Sequence, residues 1–192
     1  MARHQEVVGK MIQSGGEEAG AKASERWARV FDGLLSALFC AVRSNFGDEK
    51  SWKSLSLAAV GSYGRGGFGF KSDLDVRLLC KSQKKAGQIA EAFLYPLWDA
   101  GIQVGHQVVT QSAMITLAKG DLATATTLLD WRHLAGDPSG SAELQEKAFS
   151  TLFSPANVQE FLSRLSKQTE ERWNRFGDSV YLLEPDVKSG QG

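Results

Sequence analysis

Apolar residues recur at helical spacing from Lys22 to Asn45, at Trp27, Val30, Phe31, Leu34, Leu38 and Val42. That period predicts one amphipathic helix, ended by Phe46-Gly47-Asp48. The pattern then changes. Leu55–Val60 and Leu74–Leu79 are short apolar runs bounded by turn residues, and both read as buried strands. Between them stand Gly61, Gly64, Gly66, Gly67 and Gly69, a density that excludes a regular helix or strand interior. Lys84–Trp98 is helical again, with Pro96 in its last turn and Gly101 as its cap. Ile102–Thr110 alternates in part and predicts a third strand. Asp121 is a good N-cap for a helix running to about Leu134. Residues 136–140 read as a turn or linker, followed by helices at Ser141–Phe153 and Asn157–Arg175. The polar, Gly-rich residues 1–20 read as a flexible leader. The end, SVYLLEPDVKSGQG, reads as extended. The implied division is 1–20 leader, 21–138 main domain, and 139–192 a helical segment with the start of a truncated further domain.

Composition narrows the function. The 192 residues carry 22 Lys plus Arg and 22 Asp plus Glu, a formal net charge of zero. A polynucleotide binder needs a basic excess to neutralise phosphates, so a nucleic-acid substrate is disfavoured. Cys40 and Cys80 each lie in an apolar run and read as buried free thiols, with no metal site or disulfide framework. No apolar stretch is long enough to span a bilayer, and the start lacks a signal-peptide core. These features predict a cytoplasmic, reducing location.

The chemistry gathers around the glycines. Gly61-Ser62 follows a strand, and Asp73-Leu74-Asp75 opens the next one. Residues i and i+2 of a strand share a face, so the two carboxylates project together, about 7 Å apart along the chain. Carboxylates held on one face repel unless a cation sits between them. Mg²⁺ suits them, because it takes oxygen ligands and fills its remaining positions with water and substrate phosphates. Gly61 lets the backbone approach a phosphate, and the following N–H groups with the Ser62 hydroxyl can donate to it. Arg65 adds a bidentate cation. Gly64 and Ser72 complete the expected nucleotide-binding set, with Asp73 and Asp75 as catalytic metal ligands. The glycine spacing is not a dinucleotide-binding fingerprint, and no Walker Lys-Ser/Thr pair follows it.

The segment GSYGRGGFGFKSDLDV resembles the active-site segment of the protein-PII uridylyltransferases, enzymes of the polymerase-β-like nucleotidyltransferase superfamily. LWDAGIQVGHQVVT, DLATATTLLDWRHLAGD and SVYLLEPDVKSGQG resemble later signatures of that family, in its order. The resemblance runs from about Leu55 to the last residue and is weak over Ser141–Arg175. It implies an α/β (α+β) fold: the N-terminal nucleotidyltransferase domain of the family, with a small mixed sheet flanked by helices and a helical C-terminal extension. The implied reaction is transfer of UMP from UTP to a tyrosine of the nitrogen-signalling protein PII, with Mg²⁺ or Mn²⁺. Full-length members also carry a uridylyl-removing hydrolase domain and glutamine-sensing ACT domains, which do not fit in 192 residues. The chain stops inside a family motif, so a fragment, a truncated form or a split gene product is expected. Its tail is expected to be mobile.

Departures bear on activity. Gly67-Phe68 stands where the family has Glu-Leu or similar, and Arg77 interrupts an otherwise apolar strand. Gln107 and Val109 replace a serine and an arginine in the third strand. Polymerase-β-type enzymes generally place a third carboxylate on that strand, but Ile102–Thr110 contains no acid. A tyrosine phenol, with a pKa of about 10, loses its proton more readily than a sugar hydroxyl, which favours a phenolic acceptor. His106 is a candidate general base, because histidine titrates near neutrality; the alternative is a purely hydrogen-bonding role. The resemblance puts an acid and an arginine at Asp130 and Arg132, read here as helical and as either site-facing or solvated. His4 and His133 lack metal-ligand spacing. The five tryptophans read as core or domain contacts. Adenylyl transfer on the same fold and a non-catalytic nucleotide-binding module both remain open, because no base-reading residue is identifiable.

Overall fold

A computed structural model describes residues 2–15, 19–46, 52, 54–69 and 72–176. The long apolar period forms helix α2, Ala21–Phe46, after α1, Ala2–Ser14. The apolar runs form β1, Ser56–Ala59, and β2, Leu74–Leu79, with a single helical turn, α3, at Gly61–Gly64. Helix α4, Gln83–Asp99, leads to β3, Val104–Val109. Then come α5 (Gln111–Gly120), α6 (Leu122–Leu129), β4 (Arg132–Gly136), α7 (Pro138–Thr151) and α8 (Val158–Phe176). The strands make one four-stranded mixed sheet in the order β3-β2-β1-β4, parallel between β2 and β3 and antiparallel elsewhere. The expected small mixed sheet flanked by helices is what forms.

Alternation along the strands divides the core. Leu57, Ala59, Leu74, Val76 and Leu78 pack on one face against Trp27, Phe31, Leu35 and Phe39 of α2 and Ile89, Phe93 and Leu97 of α4. Ala58, Val60, Leu79 and Val109 pack on the other face against Met114, Ile115, Leu128, Leu144 and Phe161. Each large side chain withdrawn from water in this way contributes roughly 1.5–3 kcal/mol. The second cluster reaches Ala58 and Val60 of β1, level with Arg77 and Asp75, while Asp75 and Arg77 on β2 and Gly105 and Gln107 on β3 stay half-buried.

Several sequence expectations change. Residues 2–14 are helical where a loose leader was expected, and Val8 is 1% exposed in the first core. Helix α5 was missed. Thr110 caps it by accepting from the Ala113 N–H at 3.2 Å, and Met114, Ile115 and Ala118 bury one face. Asp121 caps α6 as expected: its carboxylate accepts from the Thr124 hydroxyl at 2.5 Å and from the Thr124 N–H at 2.7 Å, and these bonds, the hydroxyl's foremost, hold it below the usual range. That helix stops at Leu129, not near Leu134, and Arg132–Gly136 becomes a fourth strand on the free edge of β1. Cys80 is buried, but Cys40 is exposed, because α2 turns Leu35, Phe39 and Val42 inward and Cys40 away. Trp27, Trp52 and Trp131 are core residues, whereas Trp98 is largely exposed. The expected mobile tail and its family motif, 179–192, lie outside the described residues, as do Phe70 and Lys71. No helix among the described residues is long and apolar enough to cross a membrane.

Candidate active site

The site begins at the junction of β1 and α3. Val60 is extended, and its N–H donates to the Asp75 carbonyl at 3.1 Å, which ties the strand end to β2. Gly61 then turns with φ +62°, a left-handed conformation that disfavours any residue with a Cβ. The Gly61, Ser62 and Tyr63 N–H groups open the helical turn, where no preceding carbonyl of the turn can accept from them.

Asp75 sits in a seat made by two glycines. A Cβ on Gly61 would lie 3.5 Å from Asp75 Oδ2. A Cβ on Gly105, the cross-strand partner of Asp75 on β3, would collide with Asp75 Oδ1. The carboxylate therefore occupies the space that a side chain at 105 would need. Asp75 is half-buried, and Asp73 is exposed one residue before β2. By strand alternation Asp73 emerges on the side of Asp75. Two carboxylates with glycine on both flanks fit a hard divalent cation, and Asp73 and Asp75 are the residues that would hold it. Among the described residues, no group of three or more His, Cys, Asp or Glu is placed to hold a metal ion.

The other expected site residues divide. Ser62 shares the turn with Gly61 and is half-buried. Gly64 is buried in packing: a Cβ there would strike the Asp130 carbonyl and approach the Ala59 carbonyl to 3.1 Å. Arg65 is exposed, with Nη1 2.5 Å from Asp130 Oδ2. The arginine end of this pair faces solvent while Asp130 is largely buried, so Arg65 is the partner free to turn toward an incoming phosphate. Ser72 and Leu74 line a groove of about 520 Å³ with Trp27, Phe31 and Phe68, on the face opposite Asp75. His106 is also on that opposite face. It pairs across β2 with Val76, and its ring meets Trp98 of α4 with centroids 5.6 Å apart. The general-base role is set aside on this geometry, because the backbone of β3 lies between the imidazole and the carboxylate pair.

The sequence did not reveal how the turn is held. Arg132, on β4 and not in a helix, donates through Nη1 and Nη2 to both oxygens of Asp32 on α2, at 2.9 and 3.0 Å. Its Nε donates to the Gly64 carbonyl at 3.1 Å and its Nη2 to the Tyr63 carbonyl at 3.0 Å. The Tyr63 hydroxyl donates to Asp32 Oδ1 at 2.7 Å, and the guanidinium lies 5.3 Å from the Tyr63 ring centre. One arginine thus caps the C-terminal carbonyls of α3 and fastens them to α2. Burial, reinforced by the bond to Asp32, pushes the Tyr63 phenol far above its ordinary range, so it stays protonated. The contact spans 100 positions in the chain and leaves no local signal.

Arg77 is on the Asp75 face, two residues further along β2. Its Nη1 donates to the Val76 carbonyl at 2.9 Å, and its Nε is buried without a hydrogen-bond partner. Burial lowers its affinity for the proton, and the charge of Asp75 opposes that shift.

The chain is 35% identical over 178 residues to bifunctional uridylyltransferase/uridylyl-removing enzymes of a Bradyrhizobium species and of Rhodopseudomonas palustris, covering 90% of this chain and 19% of each relative. The enzyme of that name from Streptomyces coelicolor is 35% identical over 179 residues, covering 92% of this chain and 20% of the relative. The chain therefore spans about a fifth of the length of the curated relatives it matches. No family profile matches it. Two solved toxin–antitoxin structures, one an MntA–HpeT mutant and one with AMP-PNP, align at TM-scores of 0.40 and 0.41 with 14% and 13% identity. They cover 73% and 71% of this chain and 96% of their own.

Proposed function

We propose that this chain, 35% identical across 90% of its length to bifunctional uridylyltransferase/uridylyl-removing enzymes and about a fifth of their length, belongs to their family and is a metal-dependent nucleotidyltransferase that moves UMP from UTP to a tyrosine of a PII-type protein. The observation that carries this reading is the 35% identity across 90% of the chain, joined to a carboxylate pair seated beside a glycine turn.

Each residue has a part in it. Asp73 and Asp75 hold a divalent cation. When bound, that ion supplies positive charge to the phosphoryl oxygens. The N–H groups of the Gly61-Ser62 turn and the Ser62 hydroxyl donate to the triphosphate. Arg65, the exposed member of its pair, leaves Asp130 for a phosphate oxygen, a more highly charged partner. Arg132 keeps the turn in place while this happens. A tyrosine phenol needs little help to ionise, so a third acid is not required of β3.

The test is incubation of the chain with labelled UTP, ATP, CTP or GTP, Mg²⁺ and a PII-type protein. Label from UTP on a tyrosine is the expected result, lost in Asp75→Asn. Label from ATP would keep the fold and change the nucleotide. No transfer from any of the four would refute the enzymatic reading.

A further inference from the structure

The residues of β2 that share the Asp75 face form a graded series. Asp73 is exposed, Asp75 and Arg77 are half-buried, and Leu79 is 2% exposed. Arg77 therefore stands one step deeper than Asp75 on the same face of β2, between the carboxylate pair and the buried Leu79. Its cross-strand neighbours in the sheet are Ala58, whose methyl is too short to bond it, and Gln107.

The guanidinium carries five N–H groups in a rigid fork. Nη1 turns back to the Val76 carbonyl of its own strand, and Nε is buried with no partner. Leaving a buried donor unsatisfied costs free energy, so the position is poorly explained by stability alone. The arginines nearest the turn are otherwise engaged. Arg132 is filled by Asp32 and two carbonyls, and Arg65 is paired with Asp130 at the surface. Arg77 instead offers a half-buried cation with an unused Nε donor, at the inner end of a strand face whose outer end is acidic. A ligand matching that order has a cation toward the outer end and anionic oxygens toward the inner end. A metal-bound polyphosphate has that order of charge.

We propose that Arg77 binds the polyphosphate of the nucleotide, inward of the carboxylate pair on the same face of β2, an assignment that rests on the nucleotidyltransferase reading. The rival is an internal counter-charge: Arg77 would balance Asp75 and touch no ligand.

Phosphate count separates the two. The 192-residue chain and its Arg77→Lys, Arg77→Gln and Arg77→Leu variants are titrated with a non-hydrolysable UTP analogue, UDP, UMP and uridine in Mg²⁺. Mn²⁺ affinity and thermal unfolding are measured on the same samples. Arg77→Leu is expected to weaken the UTP analogue roughly ten- to a hundredfold, the range for one charge-assisted hydrogen bond. UMP should weaken less and uridine hardly at all, with the melting temperature unchanged or raised. Arg77→Lys should restore part of the loss and Arg77→Gln little. If Arg77→Leu does not fold, the Lys and Gln variants carry the comparison. Unchanged UTP affinity would overturn the assignment. So would equal weakening of all four ligands, or tighter Mn²⁺ binding with normal UTP affinity, which marks a counter-charge. Asp75→Asn separates this failure from that of the underlying reading. If that variant abolishes transfer while Arg77→Leu binds UTP normally, the enzyme assignment stands and Arg77 alone falls. A wild-type chain that takes no nucleoside triphosphate defeats both.

Discussion

Asp75 Oδ1 occupies the space where a side chain on residue 105 would begin. Any larger residue at 105 must push the carboxylate out of its seat or part β2 from β3. Gly105→Ala should therefore move the Asp75 carboxylate with little change in the fold. A displacement near 1 Å at a reacting centre costs about a hundredfold in rate. Turnover should fall by that order and Mn²⁺ affinity should drop, while the circular dichroism spectrum stays native. Full activity in this variant would show that Asp75 works from another position.

Gly61 combines two demands. With φ +62°, a Cβ costs about 1–2 kcal/mol by conformation alone. The space beside it is ordinary, since the nearest atom, Asp75 Oδ2, would be 3.5 Å away. Gly61→Ala should thus lower both stability and nucleotide affinity, whereas Ser62→Ala should leave stability intact and weaken binding less. Denaturant titration beside nucleotide titration checks the pair. A Gly61→Ala protein with wild-type stability and affinity would contradict the left-handed turn.

His106 is separated from Asp75 by the sheet and rests against Trp98. His106→Gln should leave turnover and its pH profile unchanged. A rate that collapses at neutral pH and recovers in alkali would restore the base role.

His133 accounts for part of the pH dependence of stability. It lies beside the buried Ser56 and Ser141 hydroxyls, with Nδ1 3.0 Å from Ser56 Oγ. Burial lowers its pKa from 6.5, and Asp137 only partly opposes this. The unfolded chain then binds the proton more readily than the folded one. The stabilising contribution is complete above pH 6.5 and declines as pH falls through that value toward the folded pKa. Chemical denaturation from pH 8 to 5 should show this loss, and His133→Gln should flatten it. Equal slopes in the two proteins would place the titration elsewhere.

Much of this architecture was legible locally. The period of α2 and the two apolar runs are short-range patterns, and they produced the elements they predict, whereas the glycine segment opens with the helical turn Gly61–Gly64. Asp73 and Asp75 are two residues apart, so strand geometry alone sets their common side. Asp121 announced a helix start because capping acts over three residues. Local reasoning misled where a partner decides the outcome. RHLAG, Arg132–Gly136, became a strand because β1 had a free edge. α1 became helical where its composition suggested a leader.

The sequence by itself determined which residues could carry chemistry; the tertiary structure decided which of them meet. His106 and Gly105 are neighbours in the chain, yet the pairing of Gly105 with Asp75 sends the imidazole to the opposite face. A one-residue slip of β3 would have exchanged their roles, and that register is set by long-range hydrogen bonds. Arg132 reaches Asp32 across 100 positions, so no window of the chain contains the tie that holds the turn. Such contacts form only when the sheet closes, because each depends on packing that neither segment carries alone.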